Sequence, residues 1–324
     1  MDVPDKALVI GASTGGLEAL RPIVRELPAR TSAAIFIVLH VGSHKSDLPR
    51  LLSHRSQLPA VHPRSGEPVE AGRIYVAPPD HHMIVDSGRI VLTRGPRENR
   101  ARPAIDPLFR SAARAYGESA IGVILTGALN DGTAGLFEIK ARGGTTVVQD
   151  PRDALCADMP QSALTHVEID HIAPASSLGA LLADLLTRQP VTSRPIPSPE
   201  EQEMTTEFKL ARPRAMTCPD CGGALSQSQA GQLTRFTCHI GHAYTAEVML
   251  AAQFVVMEQF IETALRALNE RAALCHFMGQ KADDKQQCRW LAAHDEALSR
   301  TAVLKQLLES EWLQPSAQAC EADS

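Results

Sequence analysis

The segment Gly11-Ala12-Ser13-Thr14-Gly15-Gly16 closes the apolar run Ala7-Leu8-Val9-Ile10 and precedes a helix-like stretch from Leu17 to Leu27. Ser13 therefore sits where a buried strand turns sharply into a helix. Such a turn exposes a hydroxyl beside backbone N–H groups that lack intrahelical partners, so one turn can supply a nucleophile and an oxyanion site. The N–H at Thr14 is the candidate oxyanion donor. A serine becomes nucleophilic when a base lies within hydrogen-bond reach, and an imidazole base needs an acceptor to fix its tautomer. Two other strand ends offer these groups. His40 follows the run 33–39, and Asp131 follows Ile121–Leu125 in Thr126-Gly127-Ala128-Leu129-Asn130-Asp131-Gly132. Ser13, His40 and Asp131 are the candidate catalytic residues. The residues alone leave other readings open. A glycine-rich turn after a strand also serves as a phosphate or dinucleotide loop, although the G-x-G-x-x-G spacing, a Walker lysine and the G-x-S-x-G elbow are all missing. His40 is one of 12 histidines and can be structural. Asp131 can cap the helix that starts at Gly132.

A second constellation lies near the other end. Cys218-Pro219-Asp220-Cys221-Gly222-Gly223 is followed by Cys238-His239-Ile240-Gly241-His242. C-x-x-C with Gly-Gly after it is the pattern of a zinc knuckle. Cys218, Cys221, Cys238 and His242 are the candidate ligands. His239 is the second choice for the fourth, because an adjacent Cys-His pair is strained around one tetrahedral ion. So small a module, with so little apolar sequence, needs a staple to fold, which points to structural zinc. A redox C-x-x-C lacks its usual βαβ surroundings here, and a nucleic-acid-binding ribbon would want more flanking basic and aromatic residues. The other four of the seven cysteines, Cys156, Cys275, Cys288 and Cys320, are isolated and read as small packed residues or bystanders.

The elements that must position these groups alternate. Short apolar strands are expected at 7–10, 33–39, 73–77, 121–125 and 145–149, and a hairpin at 82–92. Helices are expected at 17–27, 107–116, 132–142, 159–166 and 176–188. This order predicts an α/β fold, a doubly wound and mostly parallel sheet with helices on both faces. It occupies 1–188. A proline-rich linker follows at 189–214, then the Cys/His zinc-ribbon-like module at 215–245. A helical hairpin is expected at 246–312 from the spacing of Leu250, Phe254, Met257, Ile261, Ala264, Leu268 and Ala272, and a disordered tail at 313–324. Of the hairpin, a partner surface and plain packing within the chain are both readings of the same stripe.

The chain has 324 residues, 44% of them hydrophobic and 4% aromatic, so its core must be aliphatic and alanine-rich. A net charge of −5 gives no general attraction to nucleic acid or anionic membrane. No stretch approaches the roughly 20 apolar residues that span a bilayer, and the first six residues do not resemble a signal peptide. These observations predict a cytoplasmic protein without membrane insertion.

Residues 1–188 resemble the catalytic domain of the chemotaxis protein-glutamate methylesterases, the CheB-type methylesterases. The resemblance runs in order through Ile10–Gly16, Val38-Leu39-His40-Val41, Ile74–His82, Arg102–Ala113, the Thr126–Gly132 segment and Met159-Pro160. It implies that Ser13, His40 and Asp131 are the family's serine, histidine and aspartate. It also implies hydrolysis of methyl esters on glutamates in the helical cytoplasmic region of methyl-accepting chemotaxis receptors, deamidation of receptor glutamines, and no catalytic cofactor. Other chemosensory proteins are expected to meet the C-terminal helices. The chain departs from the family in two ways. Ala128-Leu129 stands where Met-Gly is usual, and the usual N-terminal receiver domain is expected to be absent. The alternative of another class is a catalytically idle chemosensory scaffold. Arg102 and Asp106, four apart in a matched motif, read equally well as a helix-start brace.

Overall fold

The computed structural model describes residues 4–40, 46–188, 216–231 and 233–310. The expected linker at 189–214 and tail at 313–324 lie outside the described residues, as does Cys320. The chain divides into two compact units, 1–250 and 251–324.

The first unit is built on seven strands: β1 (Lys6–Ala12), β2 (Ala33–Leu39), β3 (Ala60–Val61), β4 (Ile74–Val76), β7 (Ala120–Ile124), β8 (Thr145–Gln149) and β9 (His171–Ala173). They pair in the order β3-β4-β2-β1-β7-β8-β9, and every pair is parallel. Between them in the chain come α1 (Gly16–Glu26), α2 (Leu48–Ser53), the antiparallel hairpin β5 (His82–Asp86) and β6 (Arg89–Thr93), α3 (Ile105–Tyr116), α4 (Thr133–Ala141), α5 (Asp158–His166) and α6 (Ala175–Thr187). This is the doubly wound arrangement expected from the sequence. Every residue of β1 and β2 is buried, because helices cover both faces. Leu8, Ile10, Ile35 and Ile37 point into a core shared with α1 and α6. Val9, Phe36 and Val38 point into a second core shared with α3, α4 and α5.

The strand order reverses direction at β1, with β2 on one side and β7 on the other. Groups at the carboxyl ends of strands converge at such a switch point. The register places Ala12 opposite Leu39 and Gly11 opposite Ile124. Ser13 and His40 are thus the next residues on neighbouring strands, and Leu125-Thr126 continues the third.

The Cys/His module packs in the same unit as a three-stranded antiparallel sheet, β10 (Leu225–Ala230), β11 (Leu233–Cys238) and β12 (Ala243–Thr245). These strands were not expected individually. α7 (Ala246–Gly279) begins directly after β12, and α8 (Asp284–Glu309) follows, its start capped by the Asp283 carboxylate, which accepts from Gln286 N–H at 3.0 Å. The pair forms the expected helical hairpin. His294 Nδ1 lies 2.9 Å from the Ala272 carbonyl oxygen, and the His276 and His294 rings lie 5.3 Å apart. α7 corrects one expectation. It contains an 18-residue window of mean hydropathy 1.4, so by length and composition it is long and apolar enough to cross a membrane. Counting only unbroken apolar runs overlooked it, because single polar residues such as Gln253 and Gln259 interrupt the run without lowering its mean far.

Gly11 controls how closely α3 approaches the sheet. A Cβ there would lie 2.4 Å from Ile105 Cγ2, close to the backbone of the first residue of α3. Overpacking of this kind typically costs about 1–3 kcal/mol. Gly11→Ala is expected to lower the urea midpoint of unfolding accordingly; an unchanged midpoint would mean that α3 moves freely.

Candidate active site

Three segments meet at the switch point. Ser13 N–H donates to the Thr126 carbonyl at 3.0 Å, and His40 N–H donates to the Ala12 carbonyl at 3.1 Å. These bonds carry the parallel ladder one residue past each strand, which holds the Ser13 turn between the other two segments. Gly15, with φ 78°, then turns the chain into α1, a left-handed conformation that glycine adopts without strain. The Ser13 N–H is already spent on Thr126. Among the described residues the N–H groups of Thr14 and Gly15 donate to no acceptor, so they are the ones open to an oxyanion.

His40 Nε2 lies 2.9 Å from Asp131 Oδ2. With Nε2 committed to the carboxylate, Nδ1 is the nitrogen available to a serine hydroxyl. His82 shows the contrast. Its Nε2 lies 2.9 Å from the Pro96 carbonyl and its Nδ1 accepts from Ala104 N–H at 3.2 Å, so both ring nitrogens are satisfied within the fold.

Asp131 is buried and, among the described residues, receives four donors. Besides His40, it accepts from Ile105 N–H at 2.7 Å, Asn99 Nδ2 at 2.9 Å and Asp106 N–H at 3.4 Å. Burial pushes such a carboxyl up. The His40 ring, the Ile105 N–H and the Asn99 amide together outweigh that and hold Asp131 below its usual range. Asp131 does cap a helix, but it caps α3 across the fold and not α4 next to it. The cap of α4 comes in return from α3: Asp106 Oδ1 accepts Gly135 N–H at 2.7 Å.

Asp106 is not braced by Arg102. Arg102 pairs instead with Asp80, Nη2 to Oδ1 at 2.6 Å, and Asp80 also pairs with Arg94. These two guanidiniums hold the Asp80 carboxyl down at about 2 and fasten the loop that carries Asn99.

Asn99, Thr126 and Gln149 were not singled out from the sequence. Gln149 Oε1 accepts Thr126 N–H at 2.9 Å, and Thr126 Oγ1 donates to the Thr14 carbonyl at 2.9 Å. Both residues stand at strand ends, a position that could have marked them. Leu129 has φ 62°, a left-handed conformation costly for leucine, at one of the two positions where the resemblance noted a departure. It is also partly exposed beside the site.

Cys218, Cys221, Cys238 and His242 come together with their ligand atoms all within 4.8 Å of one another. Cys221 and Cys238 sulfurs lie 3.6 Å apart, and His242 Nδ1 is 3.6 Å from both Cys218 and Cys238 sulfurs. Tetrahedral Zn–S bonds of about 2.3 Å place ligand atoms roughly 3.5–3.8 Å apart, so the donor set fits a zinc ion. The His239 ring packs against Gly223, outside the cluster.

The CheB methylesterase family model matches residues 8–182. The chain belongs to the CheB methylesterase family. A relative from Leptospira interrogans, named putative protein-glutamate methylesterase/protein-glutamine glutaminase, is 37% identical over 182 residues, which are 56% of this chain and 94% of that protein. A protein-glutamate methylesterase/protein-glutamine glutaminase from Chromohalobacter salexigens is 40% identical over 184 residues, 55% of this chain and 52% of its own length. The solved Thermotoga maritima CheB methylesterase catalytic domain aligns with a TM-score of 0.53 at 34% identity, over 56% of this chain and 98% of that one. The Cys/His cluster lies beyond the part of the chain that the family model covers.

Within the CheB-type unit, Asp106 and Asp131 are buried carboxylates that share Asn99. Burial first, then the Asp131 charge, raises the Asp106 carboxyl to about 7. A carboxyl that holds its proton more tightly when folded lends stability below its unfolded value near 4 and loses it as pH rises to 7. The stability of the parent relative to Asp106→Asn should therefore fall between pH 4.5 and 7, by up to about 1.4 kcal/mol per pH unit. Parallel urea curves at several pH values check this; a constant difference would refute it.

Proposed function

We propose that this chain is a serine hydrolase that removes methyl esters from glutamate side chains of methyl-accepting chemotaxis receptors and deamidates receptor glutamines by the same acyl chemistry. The observation that carries the reading is the 2.9 Å contact of His40 with Asp131 at the strand end beside Ser13, inside the region that matches the family. Ser13 Oγ attacks the ester carbonyl carbon, and its proton passes to His40 Nδ1. The Thr14 N–H holds the oxyanion; a donor of this kind is worth roughly 3–4 kcal/mol in other hydrolases. The tetrahedral adduct expels methoxide, which takes the proton from His40 and leaves as methanol. Water then attacks the acyl-enzyme with His40 as base, releasing the glutamate carboxylate and restoring Ser13. With glutamine, ammonia leaves instead of methanol. Asp131 holds the imidazole in one tautomer and stabilises its charged form. The substrate is the helical cytoplasmic region of the receptor, the reaction belongs to chemosensory adaptation in the cytoplasm, and the C-terminal helices meet other chemosensory proteins.

Catalysis itself uses no cofactor. Cys218, Cys221, Cys238 and His242 would hold a structural zinc ion, since with four protein ligands it would have no open position for chemistry.

Methanol release from a methylated receptor cytoplasmic fragment tests the reaction. The full chain should release methanol and Ser13→Ala should lose roughly 10,000-fold or more of it, the scale seen when a triad member is removed. No release by the full chain would favour the idle-scaffold reading, and release undiminished in Ser13→Ala would exclude the mechanism. Metal analysis tests the second site separately: about one zinc per chain is expected, and a clear loss in Cys221→Ala, whereas equal zinc in both proteins would refute the assignment.

A further inference from the structure

The Cys/His module does more than sit beside the catalytic sheet. Its last strand, β12, bonds to Asn99, whose amide donates to Asp131, and to Asn130, which flanks it. Asn99 N–H donates to the Ala243 carbonyl at 2.8 Å, and Thr245 N–H donates back to Asn99 Oδ1 at 3.2 Å. The same Asn99 side chain, through Nδ2, donates to Asp131 Oδ1 and to Asp106 Oδ2. Asn130, next to Asp131, accepts from Thr245 Oγ1 at 2.6 Å and donates to Glu247 at 2.6 Å. Glu98 adds an ionic link, taking Arg110 of α3 on one side and Arg235 of β11 on the other.

Two features make this link specific. Asn99 has φ 50° and is buried, so its amide is presented from a backbone conformation that most residues avoid and asparagine tolerates. β12 begins at Ala243, the residue after His242, and pairs with β11, which ends at Cys238. The strand that holds Asn99 therefore starts directly after one candidate metal ligand, His242, whose carbonyl accepts from the N–H of another, Cys238, at 3.0 Å. Many small metallo-domains fold only when their metal is bound. Losing the metal would free β12 and remove both of its bonds to Asn99.

We propose that Asn99 is a positioning residue that couples metal loading of the Cys/His module to the orientation of Asp131, so that the hydrolase is fully competent only when the module is loaded. Zinc has no contact with the reacting atoms in this arrangement; its effect reaches them through Thr245, Asn99 and Asp131. The inference rests on the catalytic and zinc assignments proposed above.

The experiment uses the full chain and two readouts. One is the downfield proton signal of the His40 Nε2–H bonded to Asp131, which needs no substrate. The other is kcat and KM for methanol release. Both are measured with zinc and after chelation, in the parent and in Asn99→Gly, which keeps the left-handed backbone but removes the amide. Chelation of the parent should shift or broaden the His40 signal and lower kcat about 10- to 100-fold, the size reported for lost outer-shell partners elsewhere, with KM changed less than twofold. Asn99→Gly should bind zinc as the parent does, show the same altered signal and kcat with zinc present, and respond little to chelation. An unmoved His40 signal on chelation, or zinc-loaded Asn99→Gly indistinguishable from the parent, overturns the coupling. If the receptor fragment is not the substrate, the signal still decides the coupling while methanol release fails separately. A chain that binds no zinc overturns the coupling and leaves the esterase standing.

Discussion

A carboxylate removed from water must find its donors within the chain, and most of this site follows from how Asp131 finds them. Its two oxygens receive a histidine ring nitrogen, two N–H groups from the first turn of α3 and the Asn99 amide. Removing solvent costs an ionised carboxylate several kcal/mol, so a missing donor here would favour the protonated acid and leave His40 without a fixed acceptor. The positive end of α3 adds to the stabilisation, because unpaired N–H groups at a helix start carry partial positive charge. A low, well-held Asp131 keeps Nε2 of His40 a donor and leaves Nδ1 the nitrogen open to the base role proposed for it.

The fold serves that carboxylate by exchanging caps between helices. Ala104, which precedes α3, has no side chain able to cap it, and Asp131 supplies the cap from the α4 side. Gly132, which precedes α4, has no side chain either, and Asp106 supplies that one from α3. Each helix start is thus fixed by the other's acid, and Asn99 bridges the two acids. The exchange also explains the tight seat of Ile105 over Gly11: any displacement of α3 moves the N–H that points at Asp131. Stability and geometry are linked here through the same few atoms.

Much of this was visible in the sequence, and the omissions have physical causes. Unbroken apolar runs such as Ala33–Leu39 announce strands buried on both faces, and Ser13, His40 and Asp131 stand out because each follows such a run. The four residues of the Cys/His cluster are legible because their spacing is local. Asn99 was not legible. Its partners lie at positions 106, 131, 243 and 245, and nothing local in Glu98-Asn99-Arg100 marks a residue that joins them. The cap exchange is illegible for the same reason: short-range rules offer Asp131 as a cap for the helix next to it and Arg102 as a brace for the acid four residues on, whereas the partners of both lie elsewhere in the chain. Helix α2 and strand β3 escaped notice because they are six and two residues long, too short for periodicity to register.

That β12 meets Asn99 and Asn130 changes how the C-terminal module should be regarded. A domain tethered only by a linker could be removed without touching the chemistry. Here the parallel bridge between Glu98 and Ala243, together with the bonds of Thr245, lets a strand of the module complete the back of the site. Asn130 and Asp131 are neighbours in the chain, yet one is held by the module and the other by α3. The loop that carries them is therefore fixed from both sides, and its strained Leu129 can persist because the flanking residues over-determine the turn. Removing a charge-assisted bond from one side would let that strain relax into the loop, and the first group to feel it would be the carboxylate on which His40 depends.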